Sequence, residues 1–260
     1  MMKTLFVKCY GKLTADMMVG GLIDMGVPPV YLKSKLKEAG LSDEFIEKPN
    51  PKAQISAHYF HIPPAGDKPL LLKEADIFRI WKDITSKAAP EWEEIGWKVF
   101  SCLTAGASDA VDDIPANVVD LRRVGVSEEN LASLYLFLAC LDYLEVETLF
   151  TCPFSITPGT SEGARASAAI LTDAVSTAGK PVSTEGINPF AAAMLEGLSA
   201  SFMPMDSRFL VDRTAYGSSS AEKPTGDNTL AEYLGYFTDR GDSIFSRHMK
   251  VFGMDSGLDL

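Results

Sequence analysis

The hydrophobic period changes twice along this chain of 260 residues, and that change constrains the fold more than any single motif. Thr4 to Cys9 alternates weakly around Leu5, Phe6 and Val7, as a buried strand does. From Leu72 to Leu144 the apolar residues fall at helical spacing. From Glu147 the alternation returns, first to Ile156 and again from Arg208 to Tyr216. The pattern predicts an α+β fold, with sheet-containing N- and C-terminal parts flanking a helical middle segment. Residues 1–68 plus 146–260 are expected to form the sheet domain, and residues 69–145 a helical insertion. The N- and C-terminal strands are expected to share one sheet.

Turn chemistry sharpens these boundaries. Thr14 suits a helix N-cap, Asp16 falls in the first turn behind it, and the helix carrying Met17, Val19, Leu22 and Ile23 stops at Gly26. Pro28-Pro29 opens a second helix that ends at Gly40. Gln54 to Ile62 reads as a strand closed by Pro63-Pro64, followed by a linker at residues 65–69. Trp92 to Leu103 predicts a helix ending near Gly106, and Val118 to Val124 fits neither period. Ser127 caps a strongly apolar helix from Leu131 to Leu144, with Glu128 and Glu129 at its positive end. Gly163 to Ala178 and Pro189 to Leu198 are Ala-rich helical stretches, Lys180 to Ile187 suggests a strand, and Gly217 to Asp227 reads as a loop.

Composition narrows the function class. Lys plus Arg is 24 against 35 for Asp plus Glu, a net charge of −11 with no compensating basic run. Nucleic acid and anionic membrane surfaces would repel such a chain. The first eight residues are too short and too quickly polar for a signal peptide, and the longest apolar run, Leu131 to Leu141, is about half a membrane span. A cytoplasmic location is expected, with Cys9, Cys102, Cys140 and Cys152 as reduced thiols rather than disulfides.

Common catalytic signatures are missing: there is no G-x-S-x-G, no Walker-type loop, no G-x-G-x-x-G and no H-E-x-x-H. His58 and His61 stand three apart on a strand, so they point to opposite faces and read as ordinary polar residues rather than one metal site. Asp109, Asp112 and Asp113 form an acidic cluster that reads as a solvated turn, with a Mg²⁺-holding site as the rival. Glu91, Glu93 and Glu94 read as a solvated face. The strand-to-helix turn at Thr14 and Asp16 is different in kind. Its backbone N–H groups can bind an anion and its carboxylate a cation, though spacing alone favours a plain cap.

The segment Thr14-Ala15-Asp16-Met17-Met18-Val19-Gly20-Gly21-Leu22-Ile23-Asp24-Met25-Gly26 resembles the S-G-D-M-x-x-G-A-L-x-D-x-G opening of the LarC family of nickel insertion proteins. Leu136 to Gly159, Ala191-Ala192 and Arg213-Thr214-Ala215-Tyr216-Gly217 resemble later elements of that family in the same order. The family's F-H-E-V-G motif reads Leu121-Arg122-Arg123-Val124-Gly125 here, and its C-A-H-G element has no counterpart between Thr160 and Ala164. Two arginines replace a histidine and a glutamate, which trades metal donors for fixed cations that suit carboxylate or phosphate. The rival reading pairs these arginines with Asp112 or Asp113 on a solvated face.

The resemblance implies a part in nickel-cofactor assembly, with nickel and CTP plus a divalent metal as the associated small species. It implies an anionic small molecule or cofactor precursor as ligand and a C-terminal domain contributed by a separate protein; a homo-oligomer is left open, since one sequence does not decide the oligomeric state. It places Thr14, Asp16, Arg122, Arg123, Ser155 and Thr157 in the ligand site, with Asp16 as the metal carboxylate. The sequence does not decide between an enzyme and a scaffold that kept the fold and lost the metal chemistry.

Overall fold

A computed structural model describes residues 2–50, 56–64, 72–111, 118–172, 174–176, 181–221 and 224–238. Strand β1 (Lys3–Cys9) leads into helix α1 (Ala15–Asp24), which ends before Gly26 at a φ of +114°. Helix α2 (Pro29–Glu38) starts at a proline and closes before Gly40 at φ +74°. Strands β2 (Ile46–Asn50) and β3 (Ala57–His61) follow, then helices α3 (Glu74–Thr85), α4 (Pro90–Ala110) and α5 (Glu128–Tyr143). The second half contains β4 (Thr148–Thr151), β5 (Ile156–Thr157), α6 (Glu162–Ile170), β6 (Val182–Ser183), α7 (Pro189–Leu198), β7 (Ser201–Phe202), β8 (Phe209–Ser218) and β9 (Thr229–Phe237). The α+β expectation holds. So does the shared sheet, because β1 pairs along its whole length with β9 near the C-terminal end of the described chain.

The main sheet has the order β2-β3-β8-β9-β1-β4-β7. β1 is parallel to β4, β4 to β7 and β3 to β8, while β9 lies antiparallel between β8 and β1. It follows that β1, β3, β4, β7 and β8 all point the same way, and their C-terminal ends form one edge. The helices pack on one face, where Leu5, Val7, Met17, Leu22, Trp81, Phe100, Phe137 and Phe190 share a continuous core. That core joins the helical middle segment to the sheet. Phe6, alternating with Leu5 and Val7, enters the opposite face, stacks on Phe150 at 5.3 Å and meets Phe209 edge-to-face at 4.7 Å.

Several boundaries differ from the sequence reading. The strand expected from Glu147 to Ile156 stops at Thr151, because Pro153 has no N–H to continue the ladder, and β5 pairs separately with β6. The helix expected to reach Ala178 ends at Ile170, since Phe154 exchanges backbone hydrogen bonds with Ala174 and Ser176 and pulls the chain into extended form. α4 runs past Gly106 to Ala110. Leu121–Val124 forms a short 3₁₀ turn, started where Asp120 accepts from the Arg122 amide and stopped by Gly125 at φ +82°. Asp112, Asp113, the 65–69 linker and parts of the expected strand and loop ends lie outside the described residues.

Helix α1 sits unusually close to the sheet. A Cβ at Gly20 would lie 2.7 Å from the His58 carbonyl oxygen, and one at Gly217 would fall on the Met17 carbonyl. Glycine is required at these contacts because no side chain fits between helix and strand. Beneath α1, Glu232 on β9 is completely buried against Gly21, and neither carboxyl oxygen has a hydrogen-bond partner among the described residues. Burial, with a smaller contribution from the Asp24 carboxylate, pushes the Glu232 carboxyl well above its usual range.

Two expectations follow. Gly217→Ala forces backbone atoms apart and is expected to lower stability by about 1–3 kcal/mol or more in urea unfolding; an unchanged midpoint would contradict the close seating of α1. The buried acid sets a pH dependence whose sign is fixed. Its native form binds more protons than the unfolded chain above about 4.5, so stability is lost as pH rises from there toward the raised native value. The stability gain of Glu232→Gln over the parent is therefore expected to grow between pH 4 and pH 8, and a pH-independent difference would refute it.

Candidate functional site

Three helices begin at the C-terminal edge of the parallel strands, and their N-caps line one cleft of about 280 Å³. Thr14 caps α1, its Oγ1 accepting from the Met17 amide at 3.2 Å. Ser127 precedes α5, where Asn130 Oδ1 accepts from the Ser127 amide at 2.9 Å. Asn188 caps α7, accepting from the Phe190 amide at 2.9 Å and donating through Nδ2 to the Gly125 carbonyl at 3.0 Å. Tyr59 and His61 reach the same cleft from the end of β3, and Ser218 and Ser219 from the end of β8. Helix N-termini carry unpaired N–H groups and partial positive charge, so their convergence suits an anionic group.

Asp16 lies in this cleft and is held from three sides. Its Oδ1 accepts from Ser133 Oγ on α5 at 2.7 Å, and its Oδ2 pairs with His61 Nδ1 at 3.0 Å. Burial raises the Asp16 carboxyl above its ordinary range, while the Ser133 and His61 hydrogen bonds, the His61 charge and the Ile62 backbone pull it back. His61 remains 41% exposed at its side chain. His58, three residues earlier, is instead buried, with Nε2 at 2.6 Å from Glu47 Oε2 on β2. The two histidines therefore do not converge, as strand geometry predicts, but His61 enters the site on its own.

The structure brings together only part of the set read from the sequence. Thr14 and Asp16 line the cleft. Arg122 and Arg123 stand on the 3₁₀ turn just before Gly125, which does line it. Arg122 Nε is 3.2 Å from Asp120 Oδ1, and Arg123 forks onto Glu162 at the start of α6, with Nε 3.1 Å from Oε2. The Arg122 Nη1 atom is buried without a partner among the described residues. Asp112 and Asp113, the partners weighed for these arginines, lie outside the described residues.

Thr157 belongs to the small β5–β6 sheet, Ser155 directly precedes β5 with its carbonyl accepting from the Val182 amide, and neither lines the cleft. Nearby, Glu185 accepts from the Thr160 amide at 2.7 Å and from Ser161 Oγ at 2.6 Å, which holds its carboxyl below the usual range. The start of α6 thus already carries an anion from elsewhere in the chain; the starts of α1 and α5 hold only acids of their own first turns, Asp16 and Glu128 with Glu129, and that of α7 holds none.

Sequence reasoning missed His61, Ser133, Asn130, Asn188 and Ser218 as site residues. The partners of Asp16 are 45 and 117 positions away, so no local spacing could announce them. Asp109 is exposed on the last turn of α4. Among the described residues no three His, Cys, Asp or Glu side chains gather as a metal site. The four cysteines are free thiols, and no described helix is long and apolar enough to cross a membrane. A second cavity of about 340 Å³ lies between the start of α4, the ends of α5 and α7 and the start of β4.

The family model described as "Nickel insertion protein" matches residues 5–252. A pyridinium-3,5-bisthiocarboxylic acid mononucleotide nickel insertion protein of Geobacillus kaustophilus is 23% identical over 286 residues, covering 99% of this chain and 67% of the relative. The protein of the same name from Thermotoga sp. is 24% identical, with 90% and 62% covered. A Synechococcus sp. protein described as a candidate nickel insertion protein is 26% identical, with 86% and 58% covered. The chain thus spans about three fifths to two thirds of the length of these relatives. No solved structure matches it. With nearly its whole length matched and its glycine-bearing first helix seated as the Thr14–Gly26 segment requires, the chain belongs to the nickel insertion protein family.

Proposed function

We propose that the cleft at the starts of α1, α5 and α7 binds the anionic small molecule into which nickel is inserted. The observation that carries this reading is the meeting of three helix N-termini with the Asp16–His61 pair in one cleft. The compound in the names of the Geobacillus and Thermotoga relatives is a pyridinium mononucleotide with two thiocarboxylates. Its phosphate or thiocarboxylates suit the N–H groups at the helix starts, and its cationic ring suits a position near Asp16 and the Tyr59 ring. Nickel enters as a substrate. Asp16 keeps the site negative enough to admit a cation, and Thr14 positions the turn.

Arg122 and Arg123 join the anion contacts in this proposal when the ligand competes with Asp120 and Glu162 for their guanidinium groups. Ser155 and Thr157 are proposed as hydroxyl donors only to a part of the ligand extending beyond the cleft. CTP, with its divalent metal, is assigned to the C-terminal domain that the family resemblance implies, acting beside this cleft from the same polypeptide or a separate one.

Thermal unfolding tests the reading, with nicotinic acid mononucleotide as the pyridinium probe and with Ni²⁺, Mn²⁺, Mg²⁺, CTP and Mn²⁺ plus CTP. A ligand specific for the folded state at 100 times its Kd adds about 2.7 kcal/mol, a readable shift in midpoint. The parent is expected to shift saturably with the mononucleotide, and Asp16→Ala to fold with no such shift. Equal shifts in both proteins would sink the site. No shift with any probe would favour a scaffold that kept only the fold.

A further inference from the structure

We propose that His61 is the protein's own donor to the nickel ion in this cleft, through Nε2, with Asp16 and Ser133 holding the ring in place. The proposal rests on the reading of the cleft given above and adds the residue that meets the metal.

The argument runs by chemistry across the candidate donors. A thiol binds metal as thiolate, and burial works against that here. Cys9 is pushed up to about 12, Cys140 is wholly buried and raised well above the usual thiol range, and Cys152 and Cys102 are raised by the same cause. His58 is sealed between β2 and β3 with its Nε2 on Glu47. His248 lies outside the described residues. His61 differs from all of these: it is part-exposed, it lines the cleft, and its Nε2 makes no hydrogen bond to another described residue.

The Asp16 contact decides which nitrogen is available. A carboxylate at 3.0 Å from Nδ1 accepts a hydrogen bond from Nδ1–H and favours that tautomer of the neutral ring, which leaves the lone pair on Nε2. Ser133 occupies the other carboxylate oxygen at 2.7 Å, so the carboxylate cannot swing away without losing that bond. A carboxylate behind a histidine is the arrangement that fixes ring orientation and raises the basicity of a metal-binding imidazole. Asp16, in this view, acts through His61 rather than on the metal itself.

One imidazole does not hold a divalent ion tightly, and among the described residues no third donor completes a set. The remaining positions must come from the small molecule. Thiocarboxylates are soft sulfur donors and imidazole suits Ni²⁺, so a mixed sulfur and nitrogen set around tetragonal nickel satisfies both. A single protein donor also has a functional consequence, because the ion leaves with the small molecule when one bond breaks.

The test uses the parent chain and three variants, titrated with Ni²⁺ in the presence of N-methylpyridinium-3,5-bisthiocarboxylate, with affinity read from visible absorption and donors from X-ray absorption. The parent is expected to show one imidazole nitrogen on nickel. His61→Gln is expected to weaken binding at least tenfold and lose that nitrogen. Asp16→Asn is expected to retain the nitrogen while losing about 10–100-fold in affinity. His248→Gln is expected to match the parent. No imidazole nitrogen in the parent overturns the proposal without any variant having to fold, and so does its loss in His248→Gln rather than in His61→Gln. Parental nickel affinity in His61→Gln, with the mononucleotide midpoint shift intact, removes His61 while leaving the cleft reading standing. Absence of the mononucleotide shift in the parent removes both.

Discussion

The close seating of α1 on the sheet is the constraint on which the rest of the structure depends. Gly20 and Gly217 allow helix and strand backbones to approach within side-chain distance, and nothing larger fits at either position. This contact fixes the height and direction of α1, so Thr14 and Asp16 emerge beside the ends of β3 and β8. The cleft exists because the parallel strands share a direction. Their C-terminal ends lie on one edge, and α1, which follows β1, starts there together with α5 and α7. A ligand site at such an edge is what parallel connectivity produces whatever the chemistry.

The same seating carries an electrostatic cost. Glu232 occupies the middle of β9 under α1 with no partner for either oxygen among the described residues, at a place where an apolar residue would pack without penalty. Asp16, one and a half turns away along α1, is part-buried at the cleft, and Ser133 and His61 satisfy it. The contrast separates the two acids by role. One is an unsatisfied group buried in the helix–sheet contact, and the other is a hydrogen-bonded carboxylate that orients an imidazole toward a cleft.

Much of the first half was legible from local rules. The Thr14 cap, the Gly26 and Gly40 stops and the Pro29 start are each short-range backbone effects, and the structure has them where turn chemistry puts them. β9, the strand that joins the two ends of the sheet, escaped notice because Glu232 and Gly235 interrupt its apolar run. β2 escaped because Pro49 argues against a strand, although an edge position beside β3 tolerates it. For the site, Thr14 and Asp16 were visible as a turn motif. The His61 and Ser133 contacts were not, since they arise only when β3 and α5 are packed beside α1. The arginines were visible as a chemical change; Arg122 pairs locally with Asp120 two residues earlier, whereas the Glu162 partner of Arg123 depends on how the 3₁₀ turn meets α6.

The central claim is that the working surface of this chain is the cleft at the strand ends, and amide chemical-shift mapping tests it most directly. Titration of isotopically labelled protein with nicotinic acid mononucleotide is predicted to move the amides of Ala15, Asp16, His61, Ser127 and Ser218 together, with a single Kd. Shifts confined to the cavity beside Trp92, Leu138 and Leu198, with the strand-end amides still, would contradict the account.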